Sequence, residues 1–162
     1  MSVEWVNKAS ESELESFFSR CCSAINWVHC MVSGRPYDSR DALFSAADEN
    51  WQRLGESDYL QAFEGHPMIG DRRLLGDSGL FSAAEQSGVN TADHETLEAL
   101  VTANTEYRAR FGFVFIVCAT GKSAGEMLTL LHTRLGNTRD EEVHNAAAEQ
   151  RKITRIRLEK LL

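Results

Sequence analysis

The fold class depends on residues 111–120, FGFVFIVCAT, the longest apolar stretch of the 162-residue chain. A continuous apolar run fits a buried strand or a turn of buried helix equally well. A single strand would have no partner to pair with, and the segments on both sides have helical spacing. The sequence therefore predicts an all-α fold in which this run crosses the core as an extended or irregular segment.

Helical signals flank this run on both sides. Capping boxes stand at Ser10 with Glu13 and at Ser123 with Glu126, each followed by apolar residues at helical spacing. The predicted helices run from Ser10 toward Val32, from Asp38 to a stop at Gly55, from Ser57 to about Phe63, from Thr91 into Phe111, from Ser123 to Leu135, and from Asn137 or Thr138 to the C-terminus. Together they predict a single compact domain of several helices over residues 1–162.

Composition and charge narrow the class of protein. With 43% hydrophobic and 25% charged residues the chain is globular, and its net charge of −7 argues against sequence-independent binding to nucleic acid or an anionic membrane. No apolar run reaches the ~20 residues of a transmembrane helix, and the N-terminus has no signal pattern, so a cytoplasmic location is expected. The four cysteines lack CxxC or zinc spacing, which predicts reduced thiols and no metal site.

Residues 119–123, ATGKS, resemble the end of a phosphate-binding loop. Such a loop needs a glycine five residues before Gly121, and that position holds Ile116. We therefore interpret Ser123 as a helix cap, although Lys122 and Ser123 could also bind an anion at the helix N-terminus.

The irregular region at residues 65–89 is the predicted active-site loop. It contains five glycines and one proline, and long irregular segments of compact domains often carry function. Within it, Pro67 restricts His66 to an extended backbone, and a histidine can exchange a proton near neutral pH. The alternative is an ordinary loop histidine bonded to a carbonyl.

One helical turn is predicted near residues 82–86, where Ser82, Glu85 and Gln86 would share a face; a solvated turn is the alternative there.

Several motifs together resemble the OHCU decarboxylase family, whose name abbreviates 2-oxo-4-hydroxy-4-carboxy-5-ureidoimidazoline decarboxylase. The motifs occur in the family's order over nearly the whole chain: HPMIGD at 66–71, SAAEQ at 82–86, NTEY at 104–107 leading into FGFVFIV at 111–117, RLGN at 134–137, Glu149, and KITRIRLEKLL at 152–162. The resemblance implies an all-helical, cofactor-free and commonly homodimeric enzyme that converts a small-molecule ureidoimidazoline to (S)-allantoin in urate degradation.

The resemblance also implies a role for each matching residue. His66 would be the catalytic histidine and Glu85 its acidic partner. The remaining matches would bind substrate: Pro67, Ser82, Gln86, backbone groups of Phe113, Val114, Phe115 and Ile116, and the side chain of Arg157. Arg151 and Arg155 lie close to Arg157 in sequence, and helix register decides which of them points inward. Met68 stands where many relatives carry a basic residue.

Two other functions fit the same residues. A hydrolase acting on a related ureide or on a hydroxyisourate ring could use the same histidine and carboxylate. A non-catalytic helical interaction module would need the loop only for its structure. An apolar lining from Phe111, Phe113, Phe115 and Ile69 would favour decarboxylation, since losing carboxylate charge is easier where water is excluded. The alternative is that these aromatic residues are simply part of the core, which we expect for two of the three.

Overall fold

A computed structural model describes residues 1–69 and 94–162, and every regular element within these ranges is a helix. The predicted all-α class is therefore confirmed. The helices are α1 (Val3–Lys8), α2 (Glu11–Ser19), α3 (Ile25–Ser33), α4 (Arg40–Gln52), α5 (Glu56–Glu64), α6 (His94–Phe111), α7 (Ala124–Arg134) and α8 (Arg139–Leu161). The predicted turn at 82–86 and most of the loop predicted at 65–89 lie outside the described residues.

The described chain forms two compact units. The first unit comprises residues 1–65 and 151–162, and the second comprises residues 66–150. Helix α8 contributes its residues up to Gln150 to the second unit and the rest to the first.

The core of the first unit is built around helix α3. This helix packs against α2, α4 and α5. Its Trp27 is fully buried, meets the Phe18 ring edge to face at 5.8 Å, and donates from Nε1 to the Ala47 carbonyl at 3.0 Å. Burial of the aromatic surface thus fixes the helix packing, while the indole N–H stays paired.

The helix predicted from Ser10 toward Val32 is two helices, so the predicted continuity is wrong. The capping box of Ser10 and Glu13 is present, but α2 ends at Ser19 and α3 begins at Ile25. Two hydrogen bonds to α5 stabilise the interruption. Ser23 Oγ, in the break, donates to the Ala62 carbonyl at 3.2 Å, and Gln61 Oε1, on α5, accepts from the Ile25 N–H at 2.8 Å. Gln61 thereby caps α3 from another helix, a tertiary contact that local periodicity does not reveal.

The other helix boundaries that fall on described residues lie close to the predicted ones; the start predicted at Thr91 lies outside them. Ser39 rather than Asp38 caps α4, Asp58 accepts from the Gly55 N–H at the start of α5, and Thr138 caps α8. The capping box of Ser123 and Glu126 is present at the start of α7. Helix α1, which Ser2 caps, was not among the predicted helices.

The apolar run after α6 is irregular and buried, as predicted. Residues 112–119 form neither helix nor strand. Phe113, Phe115 and Ile116 are buried, and the Tyr107 ring contacts both phenylalanine rings. Helices α6 and α7 pack together in the same unit, so this segment belongs to an aromatic core rather than to a sheet.

All four cysteines lie within the described residues. Cys21, Cys22 and Cys118 are buried, Cys30 is exposed, and all four are free thiols. Across residues 1–69 and 94–162, no helix combines the length and apolar character needed to cross a membrane.

Candidate active site

His66 lies directly after α5, two residues beyond its last helical residue, in the second unit. Its side chain is half-buried, and its Nε2 lies 2.6 Å from Oε1 of Gln150. Gln150 has no exposed surface and sits on α8. The predicted catalytic imidazole is therefore held by a buried amide, which lies on a helix distant in sequence.

The loop that follows His66 is held at a second point. The buried side chain of Asn104, on α6, donates from Nδ2 to the Ile69 carbonyl at 3.2 Å and to the Leu100 carbonyl at 2.9 Å. Among the described residues, Asn104 Oδ1 is buried without a hydrogen-bond partner. Residues 66–69 are thus attached to α8 at one end and to α6 at the other.

The irregular segment 112–119 is also fixed through its backbone. Arg134 donates from Nη1 to the Ile116 carbonyl at 2.7 Å, and Glu149 accepts from the Cys118 N–H at 2.7 Å. Lys122 donates from Nζ to the Cys118 carbonyl at 2.8 Å. Charged side chains therefore hold the carbonyl of one predicted substrate-binding residue, Ile116, and both backbone groups of Cys118.

A buried ionic cluster supports this segment. Arg134 pairs with Glu142 at 2.8 Å, and Tyr107 donates its hydroxyl hydrogen to the same carboxylate. Burial acts to raise the pKa of Glu142, but hydrogen bonds from Tyr107, Asn145 and Asn137 and the charge of Arg134 outweigh it and lower the pKa. Burial and the bond to Glu142 raise the pKa of Tyr107, which stays a hydrogen-bond donor.

The three candidate arginines near the C-terminus are in different environments. Arg157 is buried, 8% exposed, and donates from Nη1 to the Cys21 carbonyl at 3.3 Å. The side chains of Arg151 and Arg155 are about half exposed and pair with Asp48. Helix register thus directs Arg157 inward and the other two outward within the first unit.

Arg157 also lies close to two buried thiols. Burial raises the pKa of Cys21 to about 12 and of Cys22 to about 11, although the positive charge of Arg157 acts in the opposite direction for both. These cysteines are therefore neutral at physiological pH.

The predicted site residues divide into three groups. His66, Pro67 and Val114 are half-buried, and Phe113, Phe115 and Ile116 are buried, all in the second unit; Arg157 is in the first. Ser82, Glu85 and Gln86 lie outside the described residues. Within the described residues, no group of three or more His, Cys, Asp or Glu side chains could hold a metal ion.

The residues that hold the site in place carry no functional signal of their own in the sequence. Asn104, Arg134 and Glu149 belong to the family motifs, and Gln150 belongs to none of them. A usable signal was present: Gln150 follows the buried Ala147 by three positions and precedes the buried Ile153 by three, so a polar residue interrupts an apolar face. Such interruptions mark buried hydrogen-bonding groups.

The comparisons with known proteins agree with this fold and this set of motifs. A family model described as OHCU decarboxylase matches residues 7–159, so the chain belongs to the OHCU decarboxylase family. A crystal structure of OHCU decarboxylase in the presence of (S)-allantoin has a TM-score of 0.77 and 30% identity, covering 94% of this chain and 98% of that one.

Two relatives differ in how much of their length the chain covers. The uric acid degradation bifunctional protein TTL of Arabidopsis thaliana is 35% identical over 87% of this chain, which spans only 45% of that protein. The 2-oxo-4-hydroxy-4-carboxy-5-ureidoimidazoline decarboxylase of Halalkalicoccus jeotgali is 26% identical, and the match covers 99% of this chain and 92% of the relative.

Proposed function

We propose that this protein decarboxylates 2-oxo-4-hydroxy-4-carboxy-5-ureidoimidazoline to (S)-allantoin, in the degradation of urate. The observation that carries the proposal is the family match over residues 7–159, which includes the histidine loop. The likeness to a decarboxylase crystallised with (S)-allantoin supports it.

The chemistry of the substrate fits the residues of the proposed site. The carboxylate to be lost is on a carbon next to a C=N bond, so the ring accepts the electron pair released with CO₂ and needs no external electron sink. The protein must fix one conformation of the substrate, polarise the ring and deliver a proton to one face of the resulting enol. That proton sets the S configuration.

We assign the proton delivery to His66, with Glu85 as the acidic partner that holds the imidazole or accepts from the substrate hydroxyl. Pro67, Ser82, Gln86 and the backbone of 113–116 bind the substrate. The support for Glu85, Ser82 and Gln86 is the SAAEQ motif alone.

Arg157 is assigned to orienting the substrate. A guanidinium close to the departing carboxylate would stabilise the charge that must be lost, so its contact is better made to carbonyl oxygens. Its burial and its fixed position on α8 support a role that an exposed arginine would not have.

The proposal extends to the organisation of the protein. We infer a single domain over residues 1–162 that acts without a cofactor as a homodimer in the cytoplasm. The four free cysteines fit a reducing compartment. Sedimentation equilibrium should give about twice the 18.1 kDa chain mass, and cell fractionation should recover the protein with cytoplasmic markers.

An assay with freshly generated substrate tests the activity and separates it from the alternatives. Decarboxylation predicts CO₂ release faster than the spontaneous reaction, together with optically active (S)-allantoin. Ring opening of hydroxyisourate without CO₂ release would favour the hydrolase, and no effect on either compound would favour the interaction module.

A further inference from the structure

Gln150 makes the short contact that orients the His66 ring. The contact joins Gln150 Oε1 to His66 Nε2 at 2.6 Å. An amide oxygen only accepts hydrogen bonds, so this contact is a hydrogen bond when the ring carries its proton on Nε2. The nitrogen that gains and loses the titrating proton is then Nδ1.

The backbone of His66 does not determine how its ring is turned. Pro67 restricts the main chain to an extended conformation, but it leaves the two side-chain torsions of the histidine open. Gln150 restricts these torsions, and it does so from a rigid element. Helix α8 has 23 residues, and Gln150 has no exposed surface. A side chain locked by a partner on a helix is held more accurately than one held by its own loop.

The preceding residue of α8 holds the other predicted substrate-binding segment. Glu149 accepts from the Cys118 N–H at 2.7 Å. Two consecutive residues of one helical turn therefore fix the ring of His66 and the backbone of 112–119. Helix α8 thus acts as a common support for both segments within the second unit.

We propose that Gln150 is a positioning residue for the reaction: it holds the His66 imidazole in one rotation with its proton on Nε2. The inference rests on the proposed function, in which His66 passes a proton to one face of the substrate. Gln150 touches the imidazole and acts only through it.

The contact itself can be tested without any substrate. In ¹⁵N-histidine-labelled protein, the Nε2 proton of His66 should give a resonance protected from exchange with water, identified by its absence in His66→Ala. Gln150→Met, which keeps the length of the side chain but removes the acceptor, should abolish that resonance. Ala148→Met, at an exposed position of the same helix, should leave it unchanged.

Kinetics test the consequence for the reaction. Gln150→Met should lower kcat about two- to tenfold, the effect of one lost hydrogen bond, with little change in KM. Gln150→Glu places a carboxylate next to the ring and favours the imidazolium, so the limb of the pH profile of kcat/KM that belongs to His66 should move about 1–3 units upward.

The matched control is Ala148→Glu, which adds the same charge to an exposed position of α8 and should leave the profile in place. The titratable groups to consider are Glu149 on α8, already bonded to the Cys118 N–H, and Glu85, the acidic partner implied by the motif. Both are present in every variant, so the comparison isolates position 150.

The possible outcomes separate this inference from the proposed function. A wild-type protein without the protected Nε2 resonance, or a Gln150→Glu variant with an unshifted profile, would overturn the role of Gln150, even if Gln150→Met does not fold. Absence of decarboxylation in the wild type would remove the proposed function, while the resonance would still decide whether Gln150 holds His66.

Discussion

Arg157 and Arg155 are two positions apart on α8 and have opposite environments. Arg157 is buried and bonded to the Cys21 carbonyl, whereas the Arg155 side chain is 49% exposed and lies over the Phe44 ring. A half-turn of helix thus separates an inward cation from a surface one. The difference allows the proposed substrate role of Arg157 to be tested against its neighbour.

We expect Arg157→Lys to raise KM about ten- to a hundredfold, because lysine keeps the charge but loses the planar fork of donors. Steady-state kinetics with far-UV circular dichroism would separate binding from folding. Arg155→Lys should be nearly silent, since exposed ion pairs contribute little. Sensitivity of Arg155 with an unaffected Arg157 would contradict the assignment.

The local setting of an individual residue could be predicted from the sequence better than the partners that hold it. The effect of Pro67 on His66 and the helix register of Arg157 follow from neighbouring residues in the sequence. Arg157 points inward and Arg155 outward, as that register predicts. The bonds of Gln150 to His66 and of Asn104 to Ile69 join residues far apart in the chain. No local sequence pattern predicts which distant residue a buried polar side chain will bond to.

Contacts between elements decide where helices end in this protein. The break between α2 and α3 exists because Ser23 and Gln61 connect it to the end of α5. Apolar spacing continues through the break, so periodicity alone extended the helix to Val32. The capping boxes at Ser10 and Ser123 were correctly predicted because each is complete within four residues.

The end of α5 gives a prediction on stability. A Cβ at Gly65 would overlap the Ser23 hydroxyl and lie 3.1 Å from the Ser23 Cβ, so Gly65→Ala should lower the free energy of unfolding by about 1–3 kcal/mol. Gly125→Ala in α7 is the matched control, because no atom lies within 4 Å of its added Cβ and alanine favours the helix. Urea unfolding should show opposite signs for the two variants; equal effects would contradict the steric explanation.

The ionic cluster between α6, α7 and α8 predicts a pH dependence. The pKa of Glu142 is lowered in the folded protein, so its stabilising contribution is present above the unfolded value and is lost as the pH falls through the folded one. Glu142→Gln should reduce the free energy of unfolding by about 3–5 kcal/mol at pH 7, since it leaves Arg134 without its carboxylate.

The same variant should lose stability less steeply than the wild type from about pH 5 downward. Asp140→Asn, at an exposed position in the first turn of α8, removes the same charge and should keep the wild-type slope. Denaturant titrations between pH 3 and 8 would measure both. An unchanged acid slope in Glu142→Gln would show that this cluster does not carry the dependence.

At the scale of the whole chain, the fold class and the family follow from the sequence more securely than the boundaries of its parts. The family model matches residues 7–159, and the all-α class is confirmed for the described residues. Division into two compact units was not predicted, since both are helical with similar composition and α8 contributes to each.

The proposed chemistry makes a prediction about metals for the whole protein. Because the substrate ring accepts the electrons released with CO₂, exhaustive dialysis against a chelator should leave kcat unchanged. Activity lost on chelation and restored by one particular metal ion would contradict a cofactor-free reaction.

The most direct test of the central claim is the decarboxylation of freshly generated substrate by the wild type and by His66→Ala. The wild type should release CO₂ faster than the uncatalysed reaction and give (S)-allantoin, and His66→Ala should lower kcat/KM by about 100-fold or more, the scale of general acid–base catalysis, with unchanged helical content. A folded His66→Ala variant that retains the wild-type rate and stereochemistry would contradict the account.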